Sequence, residues 1–127
     1  MKQIMTLGLV FLVSGTDAAW PYDLAYQDCM KASRGVTIDM LDCIAGGTER
    51  AETGIESLLA EKMPHLDPSK RKALNLSQDQ WSDYRQSTCR AQASLWGDGN
   101  FRSVVLAGCR LTIAEERLKW LQAVLPQ

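Results

Sequence analysis

The stretch Gln78-Asp79-Gln80-Trp81-Ser82-Asp83-Tyr84-Arg85-Gln86-Ser87-Thr88-Cys89 decides the fold. Gln78, Trp81, Arg85 and Cys89 step by three or four residues, so a helix puts them on one face with Tyr84 beside them. Trp81 is large enough to serve as a buried anchor. Arg85 can lay its stem along a helical hairpin and hold a carbonyl or carboxylate with its head. Extended both ways, the periodicity predicts a helix from about Ser69 to Ala93, with Leu74, Trp81, Tyr84, Thr88 and Cys89 on its inner side.

Downstream, Gly97 and Gly99 mark a turn or loop over Leu95–Ser103. A last helix is expected from about Val104 to Val124, with Leu106, Cys109, Ile113, Trp120, Leu121 and Val124 inward. Upstream, Met63–Ser69 contains Pro64 and Pro68 and reads as a loop. Before it, Leu41, Ile44, Ala51, Ile55, Leu58 and Leu59 form one stripe of a helix running from Thr37, a fair N-cap, to about Lys62. Gly46-Gly47 falls inside that helix at a cost of about 1 kcal/mol per glycine relative to Ala. The register carries through, so one helix is expected. Pro21 can open a first helix, with Leu24, Ala25, Cys29, Met30 and Ala32 at three-to-four spacing and Gly35 as its stop. No segment alternates as a strand does. The pattern predicts an all-α bundle of four helices in two hairpins.

Four cysteines, Cys29, Cys43, Cys89 and Cys109, allow three pairings. Their spacing favours Cys29–Cys43 and Cys89–Cys109, because each pair brackets one helix–turn–helix. In the chain-entropy model a loop of that length contributes about 3 kcal/mol. A four-thiolate zinc site is the rival reading. It usually needs closely spaced pairs such as C-x-x-C, which are absent. A catalytic thiol would need a basic partner, and the only imidazole, His65, lies in the proline-containing loop. No metal or cofactor is expected.

Disulfides fit the N-terminus. Lys2 precedes an almost wholly apolar run, Ile4–Val13, and small residues follow at 14–19, the three-part layout of a secretory signal. A membrane-spanning helix needs about 20 apolar residues, so this run is too short. Cleavage is expected after Ala18, with Ala19 the alternative. No Cys stands at the cut, which argues against a lipid anchor. Residues 1–18 are thus read as a signal peptide and 19–127 as one domain in the periplasm or outside the cell. The full chain of 127 residues carries 14 basic and 15 acidic side chains. That balance argues against a nucleic-acid binder, since phosphate contacts need a basic excess. The charge is uneven: residues 19–63 hold eight acids against four bases, and residues 64–127 nine bases against six acids. The acidic half could steer a cationic partner. Lys70-Arg71-Lys72 reads as a solvated helix start.

The ordered set Gln78-x-x-Trp81-x-x-Tyr84-Arg85-x-x-x-Cys89, a Gly-containing stretch, Cys109, Arg117 and Leu121, with Cys29 and Cys43 flanking Thr37 and Met40 upstream, resembles the secreted family of the lysozyme inhibitor LprI, its N-terminal domain. The resemblance covers most of residues 26–122. It implies a protein partner, a lysozyme or related cell-wall hydrolase, and a structural role for Gln78, Trp81, Tyr84, Arg85, Arg117 and Leu121. The chain departs from the family pattern in several places. Ser77 stands where the family has Ala, and Ile55-Glu56-Ser57-Leu58-Leu59 stands where it has Leu-Asn-x-x-Tyr. Gly97-Asp98-Gly99-Asn100-Phe101 replaces a Gly-Gly-Ser loop, and Ala114 replaces Thr.

An inhibitor of an enzyme that works with two carboxylates in a cleft needs a firm protrusion offering donors. Leu95–Arg102 is the candidate. Trp96 and Phe101 would be anchors, Asp98, Asn100 and Arg102 the polar contacts, and Cys89–Cys109 would pre-order the loop. The alternative is that both aromatics simply cap the bundle. An enzyme is not expected: no G-x-S-x-G, H-E-x-x-H or phosphate loop is present. A periplasmic interaction or immunity protein with a different partner fits the same features.

Overall fold

The computed structural model describes residues 23–127. The expected signal segment, its cleavage point and Pro21 lie outside them. Four helices follow in order: α1 (Leu24–Ser33), α2 (Thr37–Lys62), α3 (Pro68–Ser94) and α4 (Asn100–Val124), with a 3-10 turn at Met63–His65. The described residues are all-α, with Cys29–Cys43 stapling the α1–α2 hairpin and Cys89–Cys109 the α3–α4 hairpin.

Local chemistry sets the helix ends. Asp23 caps α1: its carboxylate accepts the Tyr26 N–H at 2.6 Å, satisfying one of the donors a helix start leaves open. Arg34 (φ 51°) and Gly35 (φ 79°) turn left-handed and stop it. Thr37 is not the cap of α2 but its first helical residue; Val36 holds the cap position without a side-chain bond. The stretch between Pro64 and Pro68 is tighter than an open loop. After the 3-10 turn, Asp67 caps α3, which begins on Pro68, where no amide hydrogen is missed. The Ser69 hydroxyl and the Lys70 backbone N–H, both donating to Asp67, hold its carboxyl down to about 2.

α2 runs unbroken through Gly46-Gly47. A Cβ on Gly47 would lie 3.2 Å from Leu111 Cδ2, and one on Gly54 only 2.8 Å from Leu118 Cδ2. Gly47, Ala51 and Gly54 therefore form a flat strip that lets α2 approach α4 closely. The seven-residue steps match, Gly47 on Leu111 and Gly54 on Leu118, so α2 and α4 run parallel. α3 returns antiparallel on the other side of α4.

The interior has two connected parts. Ile55, Leu74, Leu121 and Leu125 form one, and Cys89, Cys109 and Ile113 the other. Trp81 packs against both. α4 touches α2 on one side and α3 on the other, so its buried surface is wider than a single stripe. Leu111 and Ala114 are fully buried although they lie off the stripe that spacing defines, and Leu125 is buried just past the helix end. Conversely, Tyr84, Trp120 and Val124, inward by spacing, are exposed, because each lies just beyond the arc its neighbour covers. α1 is covered mainly from one side, so Leu24, Ala25, Cys29 and Ala32 stay exposed and Ser33 is the buried residue.

Candidate functional site

Arg85, Trp81 and Arg117 are brought together, in keeping with the α3 face that spacing defines. Trp81 lies between two guanidinium groups, Arg85 at 5.4 Å and Arg117 at 5.7 Å from its ring centre. Arg85 Nε donates to the Arg110 carbonyl at 3.0 Å, and Arg85 Nη1 to Glu52 Oε1 at 2.8 Å. One side chain thus ties α3 to α4 and to α2. Arg117 reaches back from α4: its Nε donates to Gln78 Oε1 at 2.6 Å and its Nη2 to Ser77 Oγ at 2.8 Å. Burial pulls the Arg117 guanidinium below its usual range, and these two acceptors with the Trp81 and Trp120 faces answer that cost. Ser77 is one of the divergent positions, and its hydroxyl is in use here. Leu121 is fully buried beneath. Tyr84 stands apart, exposed on α3. Apart from Tyr84, these residues knit the three long helices together.

The tip between α3 and α4 is different. Trp96 and Phe101 meet edge to face, ring centres 5.4 Å apart at 60°, and are 59% and 54% exposed. Leu95 beside them is 85% exposed. They cover each other rather than the bundle end. The expected loop 95–103 is shorter in the structure: only 95–99 are non-helical, and Asn100, Phe101, Arg102 and Ser103 form the first turn of α4. Gly97 (φ 72°) and Gly99 (φ 130°) adopt backbone angles that L side chains rarely reach, which closes the turn early and lets the helix start at Asn100. Asp98 and Arg102 face each other at 3.6 Å, and Asn100 is exposed. Below the turn Cys89 is fully buried in its bond to Cys109.

Two features escaped the sequence. The first is a groove between α2 and α4, lined by residues of those two helices. Its volume is about 490 Å³, with Leu41, Ala45, Glu49, Glu56, Ala107 and Arg110 among its lining residues. The second is Glu115 on α4, beside the start of α1. One of its oxygens is buried without a partner, and desolvation together with the nearby Asp23 carboxylate pushes it up to about 7. Arg50 forms an ion pair with Asp23 there and keeps the Asp23 carboxyl below its ordinary value. Spacing within α2 or α4 carries no sign of either, since both depend on how the helices pack.

Among the described residues no group of three or more His, Cys, Asp or Glu side chains is placed to hold a metal ion, and no helix is long and apolar enough to cross a membrane. No curated protein and no solved structure matches the chain. One family model does, that described as lysozyme inhibitor LprI, over residues 29–121. The match begins at the first cysteine and ends at Leu121, so it spans both disulfides and the Arg85–Trp81–Arg117 knot that binds the helices. On that ground the chain belongs to the LprI lysozyme inhibitor family.

Proposed function

We propose that this protein is exported by the signal segment 1–18 and acts outside the cytoplasm as residues 19–127, binding a lysozyme or related cell-wall hydrolase and occluding its cleft. The family supplies the class of partner. The observation that carries the site is the Trp96–Phe101 pair. Two large aromatic rings, both more than half exposed, stand at the tip, Trp96 in the five-residue turn and Phe101 in the first turn of α4. Exposed aromatics on a rigid support are the usual anchors of a protein interface, because they cover much area for little lost freedom. Cys89–Cys109 holds the base of the turn, so ordering costs on binding are small. Asn100 and Arg102 supply donors for acidic groups of a hydrolase cleft, and Asp98 orients Arg102.

Calorimetric titration tests this reading. Oxidised residues 19–127 are added to c-type, g-type and i-type lysozymes. A saturable one-to-one heat with at least one class is the expected result. Absence of binding to all three contradicts it and points to a partner of another kind.

A further inference from the structure

We infer that the groove between α2 and α4 is a second contact surface, and that it receives a cationic segment of a protein partner, a Lys or Arg side chain with its aliphatic stem. The inference rests on the reading of this chain as a protein-binding domain. In the upper half of the molecule α2 is flanked by α1 and by α4, while its third side is left uncovered. Next to this face, Arg85 of α3 reaches Glu52 of α2. The uncovered face carries Leu41 and Ala45, with Ala107 of α4 as the floor. Glu49 and Glu56, seven residues apart and so on one side of α2, border it. Asp42, seven residues before Glu49, continues the same row, and all three are exposed.

Charge decides the occupant. Glu52 is neutralised by Arg85 at 2.8 Å. Asp42, Glu49 and Glu56 have no ion pair among the described residues, and Arg110 is the one cation lining this cleft. An anionic segment would meet that row with nothing to offset it. A purely apolar one would strip water from carboxylates without replacing it. A Lys or Arg side chain satisfies both parts: its methylenes lie on Leu41, Ala45 and Ala107, and its head meets Glu49 or Glu56. The polar groove next to it, which shares Thr48, Glu52 and Arg110 and adds Ser82 and Gln86, continues the path toward α3.

The test needs no lysozyme. A capped hexa-arginine peptide is titrated into 15N-labelled oxidised protein, with hexa-glutamate as control. Saturable shifts confined to Ala45, Thr48, Glu49, Thr53, Glu56 and Ala107 are expected. Glu49→Gln/Glu56→Gln should weaken the binding about tenfold. Ala45→Trp fills the cleft from an exposed position and keeps every charge, so it should abolish the localised shifts while the rest of the spectrum reports an intact fold. Shifts spread equally over Asp39, Asp79, Asp83 and Asp98, or binding unchanged in Ala45→Trp, overturn the cleft. Because the peptide replaces the hydrolase, failure here is separate from failure of the lysozyme reading. One-to-one lysozyme binding without localised peptide binding would remove only the cleft.

Discussion

Arg85 Nη1 meets Glu52 Oε1 at 2.8 Å across 33 residues of sequence, and the same guanidinium donates through Nε to the Arg110 carbonyl. The Arg85 side chain is 15% exposed while that of Glu52 is 46% exposed. The pair is thus a part-buried cation held by a backbone acceptor and a half-solvated carboxylate, and the arginine carries most of the constraint. Arg85→Ala should cost about 2–3 kcal/mol, because it removes two hydrogen bonds made by a charged group and takes a donor from the Arg110 carbonyl. Glu52→Gln should cost under about 1 kcal/mol, as expected for a half-exposed partner. Arg85→Lys should recover only part of the loss, since one ammonium cannot reproduce the fork that serves both acceptors. Chemical denaturation of the three variants checks the order. Equal losses for Arg85→Lys and Glu52→Gln would contradict it.

The glycines of α2 are expected to divide by position. A methyl group on Gly46 would meet only the end of the Arg50 side chain, at 3.4 Å, so Gly46→Ala should stabilise by about 1 kcal/mol through helix propensity. Gly54→Ala brings the new carbon to 2.8 Å from Leu118 Cδ2 and should destabilise by about 1–3 kcal/mol despite the same propensity gain. Thermal melts of the two variants should therefore move in opposite directions.

Stability should depend on pH through two groups near the start of α1. Asp23 sits below its ordinary value, chiefly through its hydrogen bond with Arg50. Its contribution is present above the unfolded value of 3.8 and is lost as pH falls through the folded one. Glu115 is raised from 4.5 to about 7, so the folded state holds its proton more tightly than the unfolded chain. Stability then declines as pH rises from 4.5 to about 7. Solvent reaches this part of the surface, so the decline should be about 1 kcal/mol rather than the full value of the shift. Glu115→Gln should flatten the curve between those limits. A wild-type curve that rises across the same window would contradict this assignment.

The two disulfides should differ in reactivity. Cys29 is exposed, whereas Cys89 is fully buried. Exchange requires a thiolate to reach a sulfur, so a soluble dithiol should open Cys29–Cys43 first. Timed alkylation with mass spectrometry reads the order. Losing Cys89–Cys109 from the interior should cost about 2–5 kcal/mol.

Much of the fold was legible because strong local signals coincide with helix ends. Gly35 stops α1, and the Pro64–Pro68 segment separates α2 from α3. The cysteine spacing mirrors the hairpins because each bond links neighbouring antiparallel helices. The Gln78–Trp81–Arg85–Cys89 face was readable since a single helix displays it. What stayed hidden depends on helix–helix geometry. Trp120 and Tyr84 look like interior residues by type, yet each lies outside the arc its neighbours cover. Gly54 is seven residues from Gly47, a signal for close α2–α4 contact that becomes meaningful only beside Leu111 and Leu118 on α4. Gly97 and Gly99 suggest a longer loop, but their left-handed backbone closes the turn and releases Asn100, Phe101 and Arg102 into α4. The Arg85–Glu52 pair and the α2–α4 groove leave no trace in any one segment.

The most direct test of the central claim is a lysis-rate assay on bacterial cell walls. Oxidised residues 19–127 and the Trp96→Ala/Phe101→Ala variant are titrated into c-type, g-type and i-type lysozymes. Both rings are exposed and touch chiefly each other, so the variant should keep its fold, which thermal melting verifies. Stoichiometric inhibition of at least one class, weakened by the variant at least about a hundredfold as hot-spot losses of ~3 kcal/mol or more imply, is the expected result. Inhibition that survives the double substitution would move the site away from the tip, and wild-type protein without effect on any class would contradict the inhibitor reading itself.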